Sequence, residues 1–129
     1  MTKFPFVLDE SHNVILVDVD FGKSTYRFLL DTGASNTIID FNALLIGGYN
    51  FKDVLRQVEV ETANGLIEAY IFNIKSISAL DIQKKNFEIA SYDFLASGIL
   101  SEFDGVLGLD FFENNKICID FINSEITIS

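Results

Sequence analysis

The sequence predicts an all-β domain, and three observations lead there. Apolar and polar residues alternate with a period of two along most of the chain, as half-buried strands require. Turn-forming residues separate those runs, at Gly22-Lys23, Asn64-Gly65 and Asn123-Ser124. Helical material is sparse, and the single proline, Pro5, lies at the edge of the pattern. With 129 residues and 49% hydrophobic composition, residues 1–129 read as one domain with enough apolar material for a core. Thirteen Phe and four Tyr, with no Trp, make that core aromatic.

In chain order, Val14 to Phe21 sets Ile15, Val17, Val19 and Phe21 on one face and Asp18 and Asp20 on the other. Phe21-Gly22-Lys23-Ser24 is a turn, and Tyr26 to Leu30 follows as a buried strand. Thr37-Ile38-Ile39-Asp40 resumes a strand, and Phe41 to Ile46 gives one or two helical turns before Gly47-Gly48. Val54 to Glu61 and Leu66 to Ile74 are strands joined through Ala63-Asn64-Gly65, since Asn and Gly both tolerate a positive φ. Phe87 to Tyr92 is a further strand, and Leu109 to Asn114 a second short helix. Ile117 to Ile122 and Glu125 to Ile128 form a last hairpin over Asn123-Ser124. No linker, low-complexity segment or fixed-period repeat interrupts this order.

Composition excludes several functions. Nineteen acids against nine bases leave a net charge of −10, which argues against a nucleic-acid backbone or an anionic membrane surface as partner. One Cys and one His exclude an intrachain disulfide, a Cys-based zinc site and a multi-His metal site, so no metal or other cofactor is expected. No apolar run has the length of a membrane-spanning helix and the first residues do not form a signal peptide, so a cytoplasmic location is expected. Gly22-Lys23-Ser24-Thr25 resembles the end of a phosphate-binding loop, but Val17 stands where that loop needs a glycine, and the segment joins two strands. His12 reads as a solvated turn residue and Cys118 as a small core thiol.

One segment carries chemistry. In Phe28-Leu29-Leu30-Asp31-Thr32-Gly33-Ala34-Ser35 a buried apolar strand runs straight into an acid, a hydroxyl and a glycine. An acid there needs hydrogen bonds or a shared proton; an Asp ending a strand in a simple turn is the plainer alternative. Two further segments accompany it: a long hairpin around Glu59 to Tyr70, and Phe103-Asp104-Gly105-Val106-Leu107-Gly108-Leu109-Asp110-Phe111-Phe112, where apolar residues lead into a glycine and a short helix. Asp104 reads as a turn acid, and Asp110 as an acid in the first turn of that helix.

On Leu29-Leu30-Asp31-Thr32-Gly33-Ala34-Ser35, Thr62-Ala63-Asn64-Gly65 and Val106-Leu107-Gly108-Leu109-Asp110-Phe111, the chain resembles the retropepsin-like aspartic proteases over about residues 10 to 129. It looks most like their single-domain cellular and bacterial members. Retroviral members carry an acid at the position of Ser35 and an arginine at that of Leu109, and neither is present here. The resemblance implies a retropepsin-like acid protease fold: a closed, barrel-like β domain with a flap hairpin and one or two short helices. It also implies an aspartic endopeptidase whose substrate is a peptide or protein.

Such chemistry takes two carboxylates and a water. The chain has one Asp-Thr-Gly, so the resemblance implies a homodimer with Asp31 facing its own copy. Asp31 is then the shared acid and base, Thr32 locks the two loops together, and Gly33 lets the chain pack close to both acids. Ala34 and Ser35, with Thr62, Ala63, Asn64 and Gly65 of the flap, would bind substrate. Ala34 stands where members working in strong acid often carry a hydroxyl, which implies a mildly acidic working range. Two other classes fit the same residues: a catalytically idle peptide-binding or dimerisation module on this fold, and a generic β-barrel binding domain with an accidental triplet.

Overall fold

The structure is a computed structural model, and it describes residues 2–9, 14–62, 65–98 and 102–129. Its strands are β1 (Thr2–Pro5), β2 (Leu8–Asp9), β3 (Val14–Asp20), β4 (Thr25–Leu30), β5 (Ile38–Asp40), β6 (Val54–Thr62), β7 (Gly65–Ala79), β8 (Ile82–Tyr92), β9 (Gly105–Leu107), β10 (Ile117–Asp120) and β11 (Glu125–Ile128). One α-helix, α1 (Phe41–Ile46), follows β5, and 3-10 turns cover Phe51–Asp53 and Leu109–Phe112.

Eight strands form one sheet in the order β2-β3-β4-β9-β5-β8-β7-β6. The sheet curls until β3 meets β7 again at the single pair Asp20–Ser78, so closure is partial. Strands β1, β11 and β10 make a separate antiparallel sheet. The alternation read in β3 follows the physical faces: Ile15, Val17, Val19 and Phe21 are buried, while Asp18 and Asp20 face solvent. Gly22, at φ +87°, takes the turn after β3, where the Phe21 N–H donates to the Ser24 carbonyl at 2.9 Å. That segment joins two strands, as the sequence predicts.

The main core joins Phe28, Ile39, Leu44, Phe72, Ile74, Ile89, Leu107 and Phe111, which are almost completely buried. A second cluster under the long β6–β7 hairpin holds Ala69, Ile71, Ala90, Tyr92 and Phe94, with Ile38, Val58, Val60 and Ile67 packed against it. Val58, Val60 and Ile67 of this hairpin are thus half-buried against the cluster, while Glu59 and Glu61 are exposed.

Several elements differ from the sequence expectation. Strand β7 runs five residues beyond Ile74, and β8 starts five residues before Phe87. They turn through Leu80 and Asp81, at φ 51° and 65°. A two-residue hairpin loop needs a positive φ at both central positions when it takes the type I′ form, normally met by Asn or Gly. Here Leu80 packs against the core, which offsets the roughly 1–2 kcal/mol that a left-handed side-chain-bearing residue costs. Strand β1, the pair β2 and the 3-10 turn at Phe51–Asp53 were not expected; β1 is held by its pairing to β11 rather than by any pattern of its own. Cys118 is exposed rather than a core thiol, because β10 turns Ile117 and Ile119 toward the core and Cys118 away from it. His12 lies outside the described residues. No helix among the described residues is long and apolar enough to cross a membrane.

Candidate active site

The site is built where β9 passes between β4 and β5. Strand β9 runs parallel to β4, pairing Phe28 with Gly105 and Leu30 with Leu107, and antiparallel to β5, pairing Ile38 with Val106. The loop from Asp31 to Thr37 must therefore wrap around the end of β9. Gly105 fits because a side chain there would meet the Ile38 carbonyl oxygen at 2.5 Å and the Phe28 ring at 2.6 Å. Strand β9 thus makes the seat of the loop that carries the acid.

Backbone hydrogen bonds hold the loop on that seat. The Asp31 N–H donates to the Leu107 carbonyl at 3.1 Å, and the Leu109 N–H to the Ala34 carbonyl at 2.8 Å. Thr37 is the pin. It is 1% exposed, and both its N–H and its hydroxyl donate to Asp110 Oδ1, at 2.9 and 2.7 Å. Its hydroxyl oxygen in turn accepts from the Gly108 N–H at 3.0 Å. Asp110 therefore has a structural task across the loop beyond any favourable place in a helix turn. Asp104 has one too: it accepts from the Arg27 N–H at 2.9 Å, and its own N–H donates to the Arg27 carbonyl at 2.7 Å.

Thr37→Val keeps the shape and removes the hydroxyl. The buried Gly108 N–H loses its acceptor and Asp110 loses a donor, so a loss of about 2–3 kcal/mol is expected. Urea unfolding reads this as a lower midpoint at unchanged slope. A change within 0.5 kcal/mol, about the spread of neutral surface substitutions, would remove Thr37 from this role.

At the apex the Asp31 carboxyl is half-buried, and its Oδ1 accepts from the Gly33 N–H at 2.8 Å. Gly33 permits this approach, since a Cβ there would stand 3.1 Å from the same oxygen. Thr32, Gly33 and Ser35 are exposed, and Ala34 is half-buried. The Thr32 hydroxyl makes no hydrogen bond among the described residues.

A cleft of about 690 Å³ opens from Gly33 along residues 33–38 and under β6. Ile38, Ile71, Ala90 and Tyr92 supply an apolar part of its lining, and Val58, Glu59, Val60 and Glu61 form a wall. Thr62 and Gly65, the last pair of the hairpin, lie immediately beyond that wall, and Ala63 and Asn64 lie outside the described residues. Asn36, Arg56 and Glu88 also line the cleft and were not anticipated. Arg56 on β6 bridges to Glu88 on β8 across the intervening strand β7, and this hydrogen bond holds the Glu88 carboxyl below the usual carboxylate range. Among the described residues, no group of His, Cys, Asp and Glu has the arrangement to hold a metal ion.

The family model described as aspartyl protease matches residues 17–111, a span that contains β4, the loop, the hairpin and β9. No curated protein sequence matches the chain. Among solved structures, a retropepsin-like aspartic protease from Rickettsia conorii superposes with a TM-score of 0.71. It is 17% identical, and the alignment covers 98% of this chain and 89% of that one, so the likeness is one of fold.

Proposed function

The chain belongs to the aspartyl protease family and has its retropepsin-like fold, and from that premise we propose that it is an endopeptidase active as a homodimer. Two Asp31 carboxylates, one from each subunit, would share the work on one water. The observation that carries this reading is the loop itself. One Asp-Thr-Gly is held rigidly on β9 with its acid half-exposed at the apex, and the residues beside it, Thr32 and Gly33, are open to a partner.

The ionised carboxylate takes a proton from water while the protonated one donates to the carbonyl oxygen of the peptide. The water oxygen bonds to the carbonyl carbon and gives a tetrahedral diol. Collapse re-forms the carbonyl, breaks the C–N bond and passes a proton to the leaving amine. The Gly33 N–H keeps one Asp31 oxygen oriented throughout. The exposed Thr32 hydroxyl is suited to bond across the two-fold axis, and each loop would then steady the other. An extended peptide would lie in the cleft beside β6, whose outer edge carries no partner strand among the described residues.

A site shared between subunits makes activity depend on concentration. Specific activity is expected to fall as the protein is diluted below its dimer constant and to return on concentration. Each subunit carries −10, so added salt is expected to screen the repulsion and raise activity at a fixed low concentration. Turnover of a peptide mixture, measured beside sedimentation across a hundredfold dilution, tests both. Turnover that stays with the monomer would overturn the shared site.

A further inference from the structure

The cleft wall carries charge that neither the fold nor the chemistry at Asp31 uses. Among the described residues, five charged side chains line the cleft: Arg56, Glu59, Glu61, Glu88 and Asp110. Arg56 is engaged by Glu88, and Asp110 by Thr37. Glu59 and Glu61 remain, both exposed, and neither meets a cation among the described residues.

Their placement is costly in the free protein. Glu59 lies directly opposite Glu68 in the hairpin register, and like charges facing across an antiparallel pair repel. Packing does not require them, since Val58, Val60 and Ile67 make the apolar contacts of the hairpin. The cleft is lined by Val58, Glu59, Val60 and Glu61 in succession. Side chains of a strand point alternately to its two faces, so four consecutive residues can line one cavity only along the strand's edge. An extended peptide beside that edge has the same repeat. Glu59 and Glu61 are two residues apart, roughly 6.5 Å along a strand, which is also the spacing of alternate side chains in the peptide.

Resting on the protease reading above, we infer that the cleft selects peptides carrying two basic side chains, Lys or Arg, at alternate positions, one opposite Glu59 and one opposite Glu61. The charge of −10 on the chain adds long-range attraction for such a peptide. Two exposed ion pairs correspond to a preference of about three- to tenfold, weakened by salt.

The test uses a peptide in which Lys-x-Lys is moved in turn along each pair of alternate positions, with Ala-x-Ala as the reference. Cleavage by the parent protein gives the ratio of kcat/KM, and fluorescence anisotropy gives binding of the same peptides to Asp31→Asn. A preference of about three- to tenfold at one register is expected, shrinking toward unity in high salt. In the double variant E59Q/E61Q the ratio should fall to near unity, and in E59K/E61K it should invert toward Asp-x-Asp. Circular dichroism and melting temperature check the fold, and E59Q/E61Q should melt no lower than the parent because the repulsion from Glu68 is relieved. Equal handling of both peptides by the parent, or a preference kept in E59Q/E61Q, would overturn the inference. Binding that prefers Lys-x-Lys with no cleavage of any peptide would support the inference and overturn the protease reading.

Discussion

Asp31→Asn is expected to abolish peptide hydrolysis and leave the fold and the dimer in place. The change removes the acid from both halves of a symmetric site at once, so no carboxylate remains to take a proton from water or give one to the carbonyl oxygen. General acid–base catalysis contributes roughly 10²–10⁴-fold per group, so a loss of at least about 10⁴-fold is expected. The fold has no reason to change, because the asparagine carbonyl oxygen can still accept from the Gly33 N–H, now 2.8 Å from Oδ1. The dimer has no reason to weaken either. Where both carboxylates are ionised they repel by about 4 kcal/mol at about 4 Å and an effective dielectric near 20, and a neutral amide carries no such repulsion. Peptide turnover and sedimentation on the same samples check the two halves of this result. Activity within tenfold of the parent would sink the assignment of Asp31. A parent that binds peptides and never cleaves them would move the protein to the idle binding module.

The sequence makes this acid legible for a physical reason. The strand from Tyr26 to Leu30 is half-buried rather than buried throughout, with Tyr26, Phe28 and Leu30 inside and Arg27 exposed, but its inward face runs straight into Asp-Thr-Gly, and Val106 and Leu107 pair beside it. Both segments are local patterns and can be read without coordinates. The β6–β7 hairpin is legible for the same reason, through its alternation. What was not legible depends on distant pairing. Arg56 and Glu88 are 32 positions apart and meet only because β7 lies between their strands. Thr37 and Asp110 are 73 apart, so the pin on the loop has no local signature. Leu80-Asp81 hid the β7–β8 turn because its left-handed conformation is supported by packing rather than by residues that favour it. Cys118 was misplaced because alternation in a four-residue strand does not say which face is inside.

Gly108→Ala is expected to damage both stability and catalysis, and the two losses have one origin. Gly108 has φ −97° and ψ −176°, a conformation open to any residue, so its need for glycine is one of space. An added Cβ would stand 2.7 Å from both the carbonyl carbon and the oxygen of Asn36, and 2.9 Å from the Ala34 oxygen. These are backbone atoms of the loop that carries Asp31, so relief comes only by pushing that loop off β9. The bonds from Leu109 N–H to Ala34 and from Gly108 N–H to Thr37 stretch as it moves. Overpacking of this kind costs about 1–3 kcal/mol, and the strained hydrogen bonds add to it. A catalytic group displaced by about 1 Å loses about 100-fold in rate. Gly48→Ala is the control. Gly48 sits at φ +98° with open space around the position of a Cβ, after α1 and away from the loop. It should lose about 1–2 kcal/mol to backbone strain and keep its activity per folded molecule. Denaturant unfolding, with kcat/KM corrected for the folded fraction, separates the two variants. Equal activity per folded molecule in Gly108→Ala and Gly48→Ala would show that the seat on β9 does not position Asp31.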